Sequence, residues 1–278
     1  MSTVTASPGS SPSIAFIGGG NMARSLVGGL VAAGVDPAGV RIADPNAQAR
    51  EALVADFGVQ AFADAVAGAG TWVFAVKPQV MREVCAGLAG AAQAGRPLVV
   101  SIAAGITSAQ LDRWLGGGLP VVRTMPNTPA LLGAGVTGLY ANARVDAGGR
   151  ERADRLLASA GPTVWIDDEA LMDAVTGTSG SGPAYVFLLA EAMEAAAVAE
   201  GLTPDAARTL SQQTLLGAAR MLIESGEPPA ELRRRVTSPN GTTQAAIETF
   251  EAGGFRELVA RAIHAATRRG GELSAAND

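Results

Sequence analysis

The segment at residues 14–23, with the sequence IAFIGGGNMA, constrains the fold of this chain more than any other stretch. A short apolar run ends in glycine, and a helix is predicted to follow over residues 21–33. In the pattern Gly18-x-Gly20-x-x-Ala23, the first glycine permits a tight turn, the second lets the backbone approach a pyrophosphate, and the alanine allows close packing of the helix on the strand. Free N–H groups at the helix start face the phosphates. This order of strand, turn and helix predicts a Rossmann-type dinucleotide site.

Asp44 follows the second predicted strand, at residues 40–43. An acid at about this distance after the glycines hydrogen-bonds the ribose of NAD, and its charge would repel the 2′-phosphate of NADP. Asp44 also fits a turn or a helix cap before Pro45 and Asn46, and Arg50 is close enough in sequence to offset its charge. The choice between NADPH and NADH is therefore open at this point.

Apolar strands alternate with helices through the first half of the chain. Further strands are predicted near residue 59 and at residues 72–76, 98–103, 121–125, 135–140 and 163–166. Helices are predicted at residues 47–57, 64–67 and 149–160. Through the strand at 121–125 this alternation predicts a parallel sheet covered by helices on both faces, and the strands at 135–140 and 163–166 are predicted without a direction.

Loops rich in Gly, Pro or Asn follow several of these strands. Gly18, Lys77, Ala104 and Asn127 all lie at predicted carboxyl ends, where ligands of such sheets bind. These loops are predicted to form one rim of a cleft, and ordinary turn chemistry is the alternative for each loop taken singly. Lys77 is the one charged residue among them, and its role, toward substrate or toward phosphates, stays open.

No clear strand is predicted after Asp168. Helices are predicted at residues 169–175, 184–200, 203–224, 229–236, 242–251 and 255–273, with an interruption at residues 176–183. The helix at 184–200 is apolar nearly all round, which predicts burial on several sides. Its Glu191 and Glu194 favour a buried helix over a membrane span. A helical domain too short to cover this helix argues for a partner subunit.

Composition limits the class of protein. A chain of 278 residues that is 48% hydrophobic favours two domains, and a net charge of −5 without a basic stripe makes nucleic acid an unexpected partner. The single Cys85 excludes an internal disulfide and fits a reducing cytoplasm. With a single histidine, His264, neither a Cys/His zinc cluster nor a Ser-His-Asp triad is expected, and no metal site is predicted. The predicted domains are a disordered tail at 1–12, a dinucleotide-binding domain at 13–167 and a helical domain at 168–278.

The sequence SPNGTT at residues 238–243 precedes a predicted helix. Its glycine, its two threonine hydroxyls and the free backbone N–H groups of a helix start are suited to binding a carboxylate. A plain capping loop is the alternative, because Ser, Thr and Asn are also the preferred caps.

Taken in order, six motifs resemble the pyrroline-5-carboxylate reductase family, and the resemblance covers nearly the whole chain beyond the tail. The motifs are GGGNMA at 18–23, AVKP at 75–78, SIAAG at 101–105, MPNTP at 125–129, GSGPAY at 180–185, and SPNGTT at 238–243 followed by EAGGF at 251–255.

The resemblance implies an α/β Rossmann-type doubly wound sheet followed by an all-α dimerisation domain. It also implies reduction of Δ1-pyrroline-5-carboxylate to L-proline by hydride transfer from NAD(P)H to the C=N bond, the last step of proline biosynthesis, in the cytoplasm. NADPH is the usual cofactor of the family, and some members accept NADH. The helices interlock in a homodimer, five dimers often form a homodecamer, and the site includes helices of the partner.

The resemblance also assigns roles to residues. The cofactor-binding residues are Ile17, Gly18, Gly19, Gly20, Asn21, Met22, Asp44, Ala75, Val76, Lys77, Pro78, Ala103, Ala104 and Gly105, of which Asp44 is assigned from its place after the second strand. The substrate-binding residues are Ser179, Ser181, Asn240, Gly241, Thr242 and Thr243. The hydroxyl of Thr243 is implied to reach the ring nitrogen, which makes it the predicted catalytic residue.

Two departures from the family pattern bear on these roles. Asn240 stands where the family usually has Gly, and Asn tolerates a left-handed backbone. Asp44 and Pro45 replace the small or amide residues that many members have near the 2′-phosphate.

Two other functions remain as alternatives. A hydroxy-acid reductase of the same layout needs a Lys or His acid on the first helix of its second domain, and residues 180–201 contain neither. A non-catalytic dinucleotide-sensing protein would have no use for the loop at 238–243.

Overall fold

Eight strands form a single sheet in the order β3-β2-β1-β4-β5-β6-β7-β8. The structure is a computed structural model and describes residues 13–63 and 68–277. The strands are β1 Ile14–Ile17, β2 Val40–Ala43, β3 Gln60–Phe62, β4 Thr71–Phe74, β5 Leu98–Ser101, β6 Val121–Met125, β7 Thr137–Ala141 and β8 Thr163–Trp165. The chain runs outward from β1 through β2 to β3 and then returns to β4 on the other side of β1. The topological switch point, where ligands of such sheets bind, therefore lies between β1 and β4.

Helices cover both faces of this sheet. They are α1 Asn21–Ala32, α2 Ala47–Phe57, α3 Pro78–Gly95, α4 Ser108–Trp114 and α5 Ala147–Ala158. Along β1, Phe16 belongs to one apolar cluster with α1, α2 and α5, whereas Ala15 and Ile17 belong to another with α3 and α4. Side chains that alternate between two clusters show that both faces are buried, as predicted. The helix predicted at residues 64–67 lies outside the described residues.

One pair of strands in the sheet is antiparallel, and its direction was not predicted from the sequence. β6 and β7 are antiparallel, with Met125 opposite Gly138. A parallel return needs a crossover of about a dozen residues or more, usually a helix. Residues 126–136 contain only a short 3₁₀ turn, Thr128–Leu132, so β7 begins at the end where β6 stops.

The chain divides into two compact units, called here the first unit (Met1–Gly180 with Ala266–Asp278) and the second unit (Ser181–Ala265). The predicted boundary was at residues 167 and 168. The division lies later because residues 169–180 pack on the sheet: a Cβ added to Gly138 would lie 2.5 Å from Cγ1 of Val175. The last turns of the final helix also return to the first unit.

The remaining helices are α6 Met172–Val175, α7 Gly182–Ala199, α8 Pro204–Glu224, α9 Pro229–Arg235, α10 Thr242–Ala252 and α11 Phe255–Ala276. The predicted interruption at residues 176–183 is a π turn, Thr176–Gly180, that joins α6 to α7. A Cβ on Gly180 would lie 2.4 Å from Cε of Met125, so a larger residue there would displace the end of that side chain.

The burial predicted for α7 is wrong for the single chain. No residue of Gly182–Ala199, a range described throughout, is buried, and Phe187 and Leu188 are 63% and 65% exposed. Within the described part of the chain, the helical stretch Glu169–Ala199 is long and apolar enough, by length and composition alone, to cross a membrane. An apolar helix left uncovered by its own chain requires another apolar environment.

Candidate active site

The carboxyl ends of four neighbouring strands lie level at one edge of the sheet. In the register, Ile17 pairs with both Ala43 and Phe74, and Phe74 pairs with Ser101. Because these strands are parallel, the loops that follow them start side by side. The predicted cofactor residues of these four loops therefore share one edge. Three of the loops, at Gly18, Lys77 and Ala104, belong to the rim predicted from the sequence.

Gly18 forms the tight turn after β1. Its φ is +101°, and a Cβ would lie 2.8 Å from both C and O of Ala75, so any side chain there would be both strained and in collision. The N–H of Gly18 donates to the carbonyl of Ala43 at 2.8 Å. The turn thus lies at the switch point between β1 and β4.

The start of α1 is open. Its N-cap is Gly20, no described side chain caps it, and a Cβ added there would meet no described atom within 4 Å. Gly20 and Asn21 are exposed, and Met22 is half-buried. The first N–H groups of the helix have no intrahelical partners, so this start fits the pyrophosphate of a dinucleotide.

Asp44 lies against the glycine-rich turn. Its Oδ2 accepts from the N–H of Gly19 at 2.6 Å, and its Oδ1 accepts from the N–H of Asn46 at 2.7 Å. Arg50 donates through Nη1 to the main-chain carbonyl of Asp44 at 2.6 Å. Asp44 therefore caps its own turn through Asn46 and also places a carboxylate beside the glycine-rich turn. The guanidinium of Arg50 lies next to it.

The loop after β4 begins α3. Lys77 is the N-cap residue, and Pro78 occupies the first turn. Cγ1 of Val76 lies 3.1 Å from the position of a Gly18 Cβ, so this loop borders the glycine-rich turn directly. The Lys77 side chain is exposed at this edge, where it can reach a bound anion.

The loop after β5 contains Ala103, Ala104 and Gly105. Ile102 donates to the carbonyl of Phe74 at 3.1 Å, and the N–H of Ala103 donates to Oγ of Ser101 at 3.3 Å. Gly105 has a φ of +69°. This loop therefore continues the edge on the side of β5.

The side chain of Asn127, which follows β6, is hydrogen-bonded to the π turn. Its Nδ2 donates to the carbonyl of Ser179 at 3.1 Å, and its Oδ1 accepts from Val136 N at 3.0 Å. Ser179 donates its hydroxyl proton to the carbonyl of Val175 at 3.0 Å. The hydroxyl oxygen of Ser179 thus keeps only acceptor capacity toward a ligand.

An ion-pair cluster around the buried Arg123 was not predicted. Arg123 on β6, 3% exposed, donates to Oδ1 of Asp173 at 2.8 Å and lies 3.7 Å from Oε1 of Glu169. Glu169 also accepts from the N–H and the hydroxyl of Ser108, at 2.6 and 2.7 Å. A lone Arg inside an apolar strand was the available signal, but its partners lie about fifty residues further along the chain.

The second unit contains the turn at residues 238–243. Asn240 has a φ of +55°, the left-handed conformation that Asn tolerates, and its N–H donates to Oε1 of Gln244 at 2.8 Å. Gly241 is the N-cap of α10, and no described side chain caps this helix. The absence of a cap disfavours the capping-loop alternative and leaves an anion-ready helix start. Thr242 is exposed there and Thr243 is half-buried.

Ser181 follows the π turn and is the N-cap residue of α7. It is half-buried, and its carbonyl accepts from the N–H of Ala184 at 3.0 Å. Ser181 and residues 240–243 thus belong to the second unit, whereas Ser179 belongs to the first.

The described residues provide neither a reactive thiolate nor a cluster of metal ligands. Burial raises the pKa of the Cys85 thiol to about 12, so the group stays protonated. Within residues 13–63 and 68–277, no group of three or more His, Cys, Asp or Glu side chains is placed to hold a metal ion.

The chain is 54% identical to the pyrroline-5-carboxylate reductase of Pseudomonas aeruginosa over 268 residues, covering 95% of this chain and 98% of that protein. It belongs to the pyrroline-5-carboxylate reductase family. A reductase of the same name from Vibrio alginolyticus is 41% identical, over 94% of this chain and 97% of the relative. The resemblance carried by the six motifs is thereby confirmed.

Two family models match separate parts of this family member. The model described as pyrroline-5-carboxylate reductase dimerisation matches residues 169–273, and the one described as NADP oxidoreductase, coenzyme F420-dependent, matches residues 13–105. The predicted fold class, a Rossmann-type sheet followed by a helical dimerisation domain, is confirmed. The dimerisation match includes the uncovered α7, which supports oligomerisation.

Solved structures agree with this assignment. A pyrroline-5-carboxylate reductase from Coxiella burnetii has a TM-score of 0.91 and 41% identity, covering 95% of this chain and 98% of its own. The Plasmodium falciparum pyrroline carboxylate reductase, solved with NADP bound, has a TM-score of 0.81 and 26% identity, covering 94% and 98%. The roles of individual site residues remain predictions.

Proposed function

We propose that this chain reduces Δ1-pyrroline-5-carboxylate to L-proline with NAD(P)H, as the last step of proline biosynthesis. Membership of the family along nearly the whole chain is the observation that carries the proposal. Two open helix starts add chemical support. The uncapped N–H groups of α1 in the first unit suit the cofactor pyrophosphate, and those of α10 in the second unit suit the substrate carboxylate.

A bound nicotinamide dinucleotide supplies a hydride from its C4 position. The residues proposed to hold it are Ile17–Met22, Asp44, Ala75–Pro78 and Ala103–Gly105, which follow neighbouring strands at one edge of the sheet. The exposed Lys77 lies beside the glycine-rich turn and adds positive charge for the phosphates.

We propose NADPH as the cofactor, with NADH also accepted. The match to an NADP oxidoreductase model and the NADP-bound relative support the phosphorylated form. Asp44 opposes it by charge repulsion, and the guanidinium of Arg50, hydrogen-bonded to the carbonyl of Asp44, offsets part of that repulsion.

The turn at residues 240–243 is proposed to bind the substrate carboxylate through the backbone N–H groups at the start of α10. A cyclic imine is basic enough to be protonated near neutral pH, and the iminium carbon is the better hydride acceptor. A new C–H bond then forms at that carbon, the C=N π electrons move to nitrogen, and the product is a secondary amine. The protein need not supply a strong acid, so its contribution is orientation.

Thr243 is proposed as the catalytic residue. A threonine hydroxyl has too high a pKa to act as a general acid, but its oxygen is able to accept a hydrogen bond from the protonated ring nitrogen. Ser179 and Ser181 are also proposed as substrate-binding residues, and the oxygen of Ser179 is proposed to act as an acceptor.

The proposed assembly is a homodimer through the helical domain, with five dimers in a homodecamer as the larger form. The exposed apolar residues of α7 support the dimer. The proposed compartment is the cytoplasm, because a single buried thiol neither needs nor forms an internal disulfide.

The test is the oxidation of NADPH and of NADH by the purified protein with Δ1-pyrroline-5-carboxylate, followed by proline analysis. We expect turnover with both cofactors and formation of L-proline. Faster turnover of a 2-oxo acid would favour the hydroxy-acid reductase alternative. Binding of NADPH without any turnover would favour the dinucleotide sensor.

A further inference from the structure

The end of α11 presents one face to the first unit. Gly270, Ser274 and Asn277 follow the spacing i, i+4 and i+7, which places them on one side of a helix. Gly270 is buried, and a Cβ there would lie 3.2 Å from Cβ of Asp173, the ion-pair partner of Arg123. The last two turns of α11 therefore pack within the first unit, against Asp173.

This face contacts the loop that follows β5. A Cβ added to Gly105 would lie 3.1 Å from Cβ of Leu273, and the carbonyl of Gly105 accepts from Nδ2 of Asn277 at 3.1 Å. The same Nδ2 donates to the carbonyl of Leu273 at 2.8 Å. Asn277 thus links the loop to the helix end through a single amide group.

Gln110 makes a second link. It is 3% exposed, and its Oε1 accepts from the N–H of Thr107 at 2.8 Å, as part of the capping box of α4. Its Nε2 donates to the carbonyl of Ser274 at 2.9 Å. The carbonyl of Ser274 also accepts from the N–H of Asn277 at 3.4 Å, so the side chain of Gln110 supplies the shorter of its two hydrogen bonds.

We propose that Gln110 and Asn277 are positioning residues that hold the Ala103–Gly105 loop for hydride transfer. The inference rests on the proposed function, which assigns that loop to the cofactor. Gly105 contacts α11 through its carbonyl and through its Cα. The first turn of α4, which begins three residues later at Ser108, is bonded to the same helix end through Gln110. The family models end at residues 105 and 273, so neither includes Ser274 or Asn277.

The expected consequence of loosening this link is kinetic. A mobile loop would hold the nicotinamide less closely, and small misplacements of reacting groups are costly, so we expect a loss of about three- to tenfold in kcat or in cofactor affinity. The carboxylate turn lies in the second unit, so the KM for the imine should stay unchanged.

The test uses the full-length protein with isosteric variants. Gln110→Glu keeps the acceptor for Thr107 but replaces the donor to Ser274 with a carboxylate oxygen, and Asn277→Asp removes the donor to Gly105 in the same way. Glu272→Gln, on the exposed side of the same turn, is the matched control. For each variant we would measure the Kd of NADPH, kcat, the KM of the imine and the isotope effect with deuterated cofactor.

Both donor variants should show the loss, whereas Glu272→Gln should resemble the unmodified protein. Asn277 is close to the chain end, so its variant keeps the test valid should Gln110→Glu not fold. If folded Asn277→Asp leaves the Kd of NADPH, kcat and the isotope effect unchanged, the inference is overturned. If Gly18→Ala also leaves the Kd of NADPH unchanged, the cofactor assignment of the proposed function has failed instead.

Discussion

The first unit buries its sheet between two layers of helices, whereas the second unit buries almost nothing. In Ser181–Ala265, which the structure describes throughout, only Ala207 and Ser211 are buried, and Phe187, Leu188 and Ile223 are each more than 60% exposed. Full burial of one such side chain contributes about 1.5–3 kcal/mol. The first unit thus contains its own core, while the stability of the second must come from association.

This difference also separates the two proposed binding functions. The cofactor edge is built on a rigid sheet whose strand ends are level, and Gly18 is required there by backbone contact. The carboxylate turn is built on helices that lack their own core. We therefore expect dinucleotide binding to survive changes that abolish association, and turnover to depend on both.

The largest effect is expected from a charge on α7. Leu188→Glu should prevent association, because a carboxylate in an apolar interface is strongly unfavourable, and should abolish measurable turnover. Light scattering and the reductase assay are the measurements. The matched change Val54→Glu, at an exposed apolar position of the first unit, should leave both unchanged. An active, fully associated Leu188→Glu protein would contradict the comparison.

Gly18→Ala should act on the first unit alone. A methyl group at a φ of +101° and 2.8 Å from the Ala75 backbone costs about 1–3 kcal/mol. We expect the Kd of NADPH to rise about tenfold to hundredfold, with the oligomer intact. Gly20→Ala, where a Cβ meets no described atom within 4 Å, should destabilise the ligand-free protein less than Gly18→Ala. Equal losses of stability in the two variants would be inconsistent with this geometry.

Thr243→Ala should act on the second unit alone. Loss of a hydrogen bond to a charged group costs about 1.5–3 kcal/mol, so kcat/KM should fall at least about tenfold while the Kd of NADPH stays unchanged. Thr243→Ser should recover most of the activity. Unchanged turnover in the alanine variant would remove Thr243 from the mechanism.

Asp44→Asn should change cofactor choice rather than rate. Removing the carboxylate relieves repulsion of the 2′-phosphate, and the ratio of NADPH to NADH efficiency should rise severalfold, with a smaller change at high salt. Arg50→Gln should move the ratio in the opposite direction. Equal ratios in both variants would mean that neither side chain contacts the adenosine ribose.

The smallest effect is expected at Cys85, whose thiol should stay almost unmodified by a thiol reagent. Its pKa is raised from 9.0 to about 12 by burial, so a thiol reagent should react very slowly with the native protein between pH 7 and 9. An ordinary thiol would react faster as the pH rises through that range. The same protection in Leu188→Glu would show that the first unit keeps its core without association, and rapid modification there would show that it does not.

Local signals in the sequence predicted much of the first unit. The strand Val40–Ala43 and the helix Ala47–Phe57 have the predicted bounds. The helix is capped at its start by Asn46 and ended by the left-handed Gly58, and both signals lie in residues adjacent to it. The loops at Gly18, Lys77, Ala104 and Asn127 were also predicted to follow strands, since Gly, Pro and Asn mark strand ends directly. The strand β7 was predicted but its antiparallel direction was not, because strand direction depends on where the chain goes after β6.

The sequence by itself determined the family, the Rossmann-type sheet with its helical domain, and the two motifs proposed to bind the substrate and the cofactor. Only the tertiary structure revealed the pairing of Arg123 with Asp173, the return of α11 to the first unit and the contact of Gln110 with Ser274. These partners lie 50 to 164 residues apart. The physical reason is that a local pattern specifies how a residue's own segment folds, whereas a long-range hydrogen bond exists only once separate segments pack together.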